Sequence, residues 1–485
     1  MLFNSIEFIV FLPLVFILYW FVFKRLKAQN LFVVAASYFF YGWWDWRFLS
    51  LVIFTSLCSY LSGIGIERFE GNRKQQKLIS AANITVNLLI LCSFKYFNFF
   101  AENFAALFRS FGYEPDRVTL DVILPVGISF YTFQALSYTI DIYQRKLKAT
   151  RDPIAFFAFI SFFPQMMAGP IERATNLLPQ FCRPRTFEHD KAVDGMRQML
   201  WGFFKKVVVA DNCAVFANGV FEHYETMSGS ALFMGAFFFT IQIYGDFSGY
   251  SDIAIGSSRL FGINLMRNFN VPYFSRDIAE FWRRWHVSLT TWFRDYIYIP
   301  LGGSRSSKWK GFRNTMIIFL VSGFWHGANW TFIIWGAYHA LLFLPLFLSG
   351  SNRKHRDTVA TDRFLPSIKE FLQMFLTFLL ALVGWIIFRA ESITQAVGYI
   401  KGMCNASLFT VPKLPGIGIT QSLATTTLFF ILVLLITEWL QRKQSHTLQI
   451  SSPSSPILRW SIYIFLYLSI SIFGGAQSEF MYFQF

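Results

Sequence analysis

The chain has 485 residues, of which 54% are hydrophobic and 15% charged, a balance that a water-soluble protein of this length could not hide in one core. This indicates a polytopic membrane protein. The formal net charge of +15 does not indicate a nucleic-acid partner, because the Lys and Arg fall in short clusters between apolar runs rather than on one soluble domain.

A spanning helix needs about 20 apolar residues. In chain order, that measure predicts helices at 6–23, 29–43, 48–66, 79–100, 197–220, 230–258, 314–326, 330–349, 367–389, 424–440 and 457–473. The first lacks a basic region before it and a small-residue cleavage site after it, so it is expected to be retained. Residues 122–142, 154–170 and 281–300 are apolar but broken by Gly, Pro or charge, which suits re-entrant or interfacial helices. The expected fold is all-α. It is one membrane domain over 1–485, with N-terminal helices at 1–120, a core at 121–349, C-terminal helices at 350–473 and an aromatic tail at 474–485.

The basic clusters predict orientation. Lys24, Arg25 and Lys27 follow the first helix, and Arg68, Arg73, Lys74 and Lys77 follow the third, which places both loops in the cytoplasm and the N-terminus outside. Counting crossings through the basic loops at 305–313, 353–356 and 442–443 brings the C-terminus outside as well. Cys58, Cys92, Cys182, Cys213 and Cys404 show no CxxC pairing, so neither a disulfide framework nor a metal site is indicated.

Seven histidines occur. His189, His223, His355 and His446 lie in polar sequence and are expected to be solvated. His286, His326 and His339 sit in apolar surroundings, where an ionisable group is a functional candidate. For His339 a bonded core histidine is the favoured reading. Gly323, Gly327 and Asn329 crowd His326, which suits a general base that takes a hydroxyl proton during attack on an acyl carbon. His286 ends a run of Trp and Arg, 281–286, and composition does not rank the two. The run Asp246-Phe247-Ser248-Gly249-Tyr250-Ser251-Asp252 reads either as a helix break with local hydrogen bonds or as the lining of a tunnel. No GxSxG elbow, phosphate loop or HExxH motif is present.

The stretch from Tyr273 through Phe281-Trp282-Arg283-Arg284-Trp285-His286 and Trp292-Phe293-Arg294-Asp295-Tyr296 to Ile299-Pro300-Leu301-Gly302-Gly303 resembles the membrane-bound O-acyltransferase family. Residues 161–170, 246–252 and Gly323-Phe324-Trp325-His326-Gly327-Ala328-Asn329-Trp330 are similar too. The ending and length resemble the bacterial alginate and peptidoglycan O-acetylation branch more than the teichoic-acid D-alanylation branch. The resemblance implies about eleven spanning helices plus re-entrant ones around a central tunnel, in the bacterial inner membrane. It also implies two catalytic histidines, His286 and His326, with His326 the essential one.

The implied donor is acetyl-CoA, with no tightly bound cofactor. Arg283, Arg284, Trp285, Asp295, Asn329, Tyr250, Ser251 and Asp252 are the expected tunnel or donor contacts. Arg305, Lys308, Lys310 and Arg313 could also meet the donor, although a topological role is the stronger reading for them. The implied partners are an extracytoplasmic SGNH-type transferase, a polysaccharide acceptor and membrane lipid. The tail Phe480-Met481-Tyr482-Phe483-Gln484-Phe485 resembles the C-terminal motif of the small membrane partner in D-alanylation, so Tyr482 is either an acyl carrier or an aromatic belt anchor. A glycan or lipid transporter without acyl chemistry, and D-alanyl transfer to teichoic acid, are the competing functions.

Overall fold

Long apolar runs in lipid must satisfy their own backbone groups, and helices do so within one segment. In the computed structural model no β-strand occurs among the described residues, which are 1–114, 119–120, 123–167, 169–303, 307–414, 421–449, 455–475 and 480–481. Seven helical stretches among them are long and apolar enough to cross a membrane. Five of the eleven expected spans account for the difference. The predicted spans at 29–43 and 48–66 join in one stretch, Leu26–Arg68, and Ile6–Val22 is shorter than the others. The span at 197–220 is broken, and that at 314–326 extends back through Lys308, Lys310 and Arg313.

The chain divides into two compact units, Met1–Ala192 with Ser257–Met266, and Val193–Gly256 with Arg267–Phe485. The first contains α1 (Ile6–Ile17), α2 (Leu26–Asp45), α3 (Leu49–Arg68), α4 (Arg73–Lys95), α5 (Phe97–Ser110), α6 (Ile128–Tyr143), α7 (Pro153–Ser161), α8 (Phe163–Met166) and α9 (Ala174–Phe181). The helix expected at 79–100 starts earlier because Asn72 caps it, its side chain accepting from the Gln75 N–H at 3.2 Å. Buried amides act as glue between helices: Asn83 Nδ2 donates to Thr139 Oγ1 at 2.7 Å, and Asn30 Nδ2 to the Phe181 carbonyl at 2.8 Å.

After α10 (His189–Phe203), the second unit continues through a π-helical segment, Phe204–Ala210, into α11 (Asp211–Glu222). The π turns carry Lys205 and Lys206, both buried. Hydropathy had drawn one span through them. Their charges are tolerated because Asp252 pairs with Lys205, and Asp211 and Asp246 pair with Lys206. Then follow α12 (Gly229–Leu260), α13 (Ile278–Arg284), α14 (Val287–Phe293), α15 (Lys308–His326), α16 (Trp330–Leu348), α17 (Ile368–Arg389), α18 (Ile393–Met403), α19 (Gln421–Leu440) and α20 (Pro456–Phe473). The expected break at 281–300 is present, as α13, α14 and a π turn at Arg294–Tyr298.

Candidate functional site

Two short helices deliver His286. Asp277 caps α13 by accepting the Glu280 N–H, and the helix ends after Arg284 because His286 itself takes the left-handed conformation at φ +42°. Such a conformation in a non-glycine residue is uncommon and needs support from its surroundings. Asn268 supplies it twice. Its carbonyl oxygen accepts the Val287 N–H at 2.8 Å, and its side-chain Oδ1 lies 3.0 Å from His286 Nδ1 and accepts from Ser288 Oγ at 2.8 Å. The amide nitrogen of Asn268 is engaged by Ser251 Oγ at 3.0 Å. With Oδ1 facing the ring, the network assigns the proton to Nδ1 of His286 and the lone pair to Nε2.

His326 ends α15, where the open carbonyls of the last turn favour positive charge. Its ring is enclosed by Trp325, Trp335 and Phe388, with centroids at 5.0, 5.1 and 5.4 Å. This cage depends on close approach of α15 and α16. A Cβ on Gly323 would run into the Phe332 carbonyl oxygen and lie 3.0 Å from its carbon, and one on Gly336 would do the same at Phe319.

Both histidines line one chamber of about 50 Å³, together with Trp285, Leu289, Phe293 and Ser322. A larger cavity of about 500 Å³ shares Trp282, Thr290, Ile318 and Phe319 with it. The larger cavity is lined by four arginines, Arg283, Arg294, Arg353 and Arg356. Arg283 is held by the carbonyls of Asn352 and His355, at 2.6 and 2.5 Å. Below it, Arg276 bridges Glu280 and Asp357, both at 3.0 Å, and hydrogen bonding to this guanidinium holds the Asp357 carboxyl below the usual carboxylate range. This clamp ties the loop carrying Arg353 and Arg356 to α13.

Of the residues expected from sequence, His286, His326 and Trp285 come together in the chamber, and Arg283 lies in the adjoining cavity. Asp295 does not line that cavity but pairs at 2.7 Å with Arg294, which does. Arg284 lines neither space and pairs with Glu280 at 2.8 Å. Asn329 caps α16 through the Thr331 N–H. Ser251 meets Asn268, and Asp252 meets Lys205 and Gln198. Tyr250 packs on Phe480, with centroids 4.3 Å apart. Tyr482 and Arg305 lie outside the described residues, and Lys308, Lys310 and Arg313 do not line the cavity.

His339 is a core histidine, as expected, with the Trp282 indole N–H 3.4 Å from Nδ1. His446 departs from expectation: it is buried, and its Nε2 is 2.9 Å from Oδ2 of Asp194, a residue of α10. Sequence reasoning missed Asn268, Arg294, Arg353 and Arg356. Arg294 stands in the family motif and Arg353 and Arg356 in a basic loop read as topological, while Asn268 opens the turn-forming run Asn268-Phe269-Asn270-Val271-Pro272 just before the motif.

The sequence profile of the membrane-bound O-acyltransferase family matches residues 38–379. The chain belongs to this family and is a multi-pass membrane acyltransferase. It is 40% identical to the "probable alginate O-acetylase AlgI" of Azotobacter vinelandii over 89% of this chain and 84% of that one. It is 33% identical to the peptidoglycan O-acetyltransferase of Helicobacter pylori over 100% and 98%. Similarity to the teichoic acid D-alanyltransferase of Bacillus subtilis is 30% over 57% of this chain and 72% of that one.

Proposed function

We propose that the protein takes an acetyl group from cytosolic acetyl-CoA, carries it through the bacterial inner membrane and supplies it for O-acetylation of an exported polysaccharide. The observation that carries this reading is the chamber with His286 and His326 in its wall, beside a cavity with four arginines. Guanidinium groups suit the phosphates of a coenzyme A head. A chamber of about 50 Å³ suits a two-carbon acyl group. The similarity to alginate and peptidoglycan O-acetylating enzymes supplies the acceptor class. The basic loops support termini that both face outside, with the donor cavity on the cytosolic side.

In this proposal Tyr482 is the first acceptor and an SGNH-type partner the second. The phenolic oxygen attacks the thioester carbon while Nε2 or Nδ1 of His326 takes its proton. The carbon–sulfur bond breaks, the carbon–oxygen bond to Tyr482 forms, and the proton passes to the departing thiolate. His286, as the Nδ1–H tautomer, presents Nε2 as an acceptor in the same chamber. Support for Tyr482 is its covalent neighbour: Met481 is buried in the second unit, as is Phe480, which packs edge-on against Phe247, the ring beside His286.

Purified protein incubated with acetyl-labelled acetyl-CoA is expected to gain one acetyl group on its C-terminal peptide by mass spectrometry, and Tyr482→Phe none. Label on the C-terminal peptide of Tyr482→Phe, or full activity in that variant, overturns the relay. Asn268→Ala is expected to lower kcat on the order of tenfold or more with little change in donor KM, because it releases the His286 ring without touching the arginine cavity. Steady-state kinetics with varied acetyl-CoA checks this.

A further inference from the structure

Beyond the chamber, the second unit contains a buried ionic cluster to which the acyl-transfer scheme above gives no role. Lys206 Nζ, fully buried, lies 2.7 Å from Asp246 Oδ1 and 2.9 Å from Asp211 Oδ1. Two carboxylates against one ammonium form an expensive arrangement in an apolar interior unless further donors reach them. One such donor comes from the far end of the chain: the Met481 main-chain N–H donates to Asp246 Oδ2 at 2.8 Å.

The chain leading to that bond is held at three further described residues, Phe473, Gly475 and Phe480. At the end of α20, Asn212 Nδ2 donates to the Phe473 carbonyl at 2.8 Å, and the Gly475 N–H donates to the carbonyl of Val207, in the π-helical segment, at 3.0 Å. A Cβ on Gly475 would lie 3.0 Å from Asp211, so a larger residue would push the tail or α11 back by a few tenths of an ångström. Phe480 is 0% exposed and packs on Tyr250 and Phe247, with centroids at 4.3 and 5.7 Å. Phe247 in turn lies 4.7 Å from the His286 ring. Asp246 and Tyr250 are four residues apart, on one face of α12, so a single helix offers both the carboxylate and the aromatic platform.

We propose that Asp246, held by Lys206 and by the Asp211 that shares this ammonium, is a positioning residue that seats the C-terminal tail at Met481 by its main chain, next to the Phe247 ring that packs on His286. Lys206 takes one oxygen of Asp246 and aims the other at the tail. The seat reads an N–H, which any residue but proline supplies, while the burial of the Met481 side chain asks for an apolar residue there; the aromatic contacts of Phe480 set which residue docks. The consequence for catalysis rests on the Tyr482 acceptor reading, whereas the docking itself does not.

The test is hydrogen exchange on the full-length protein in detergent, read at the C-terminal peptide and at peptides from α12 and α13. Asp246→Ala, and separately Met481→Pro, which removes the donor and leaves the cluster intact, are expected to speed exchange at the tail by about tenfold or more, with α12 and α13 unchanged. Met481→Leu keeps the N–H and is expected to keep the protection. Unchanged tail protection in Met481→Pro overturns the seat, and so does lost protection in Met481→Leu. A seated tail that gains no acetyl label in the wild-type protein leaves the seat standing and removes Tyr482 as the acceptor.

Discussion

Replacing His326 with alanine is expected to abolish acetyl transfer, lowering the rate by about 10²–10⁴, the range contributed by a positioned general base. The geometry gives the reason. His326 is in the wall of the chamber and at the carbonyl end of α15, where charge gained during proton abstraction is favoured, and Trp335 and Phe388 hold its ring in place. The exchange also empties volume inside that cage, so His326→Gln should be compared at matched membrane levels. Both variants are expected to elute as a single species after detergent extraction. Acetylation of the glycan above a tenth of the wild-type level in either well-folded variant refutes the assignment.

The second large effect concerns a residue with no chemistry of its own. Gly323→Ala is expected to destabilise the protein by about 1–3 kcal/mol, the usual range for overpacking a tight contact, and to reduce activity with it. The new Cβ meets main-chain atoms of Phe332, which cannot rotate away as a side chain could. Helices α15 and α16 must therefore separate, and His326, one turn further along α15, moves with them. Thermal unfolding in detergent should show a clear drop in midpoint. Leu341→Ala, on the outer side of α16 at 58% exposure, is expected to leave the midpoint nearly unchanged. Equal shifts in the two variants would mean that the close helix contact is not the cause.

The particular residues show where sequence reasoning reaches. The helices, the broken segment around His286 and the pair His286 and His326 were legible, because hydropathy is a local property and the motif is a continuous string. Of the arginines that line the larger cavity, Arg283 was legible and Arg294, Arg353 and Arg356 were not. Lys308, Lys310 and Arg313 formed the conspicuous basic loop, yet the cavity is lined by Arg283, Arg294, Arg353 and Arg356, which come from three separate segments. Arg283 and Arg284 are neighbours in sequence, and helical geometry turns one to the cavity and the other to Glu280.

The same limit applies to the buried charges. Lys205 and Lys206 lie in a stretch that reads by hydropathy as a plain span, because a local average cannot register that, besides the nearby Asp211, their counter-ions Asp246 and Asp252 lie in a different helix, α12. By itself the sequence determined a helical membrane protein, the family motif and the two histidines, all of which are carried by composition or by adjacent residues. The tertiary structure alone decided that Asn268 orients His286, that four dispersed arginines surround one cavity, and that Asp246 meets the tail at Met481. Those pairings join segments far apart along the chain, and only packing sets which buried polar group finds which partner.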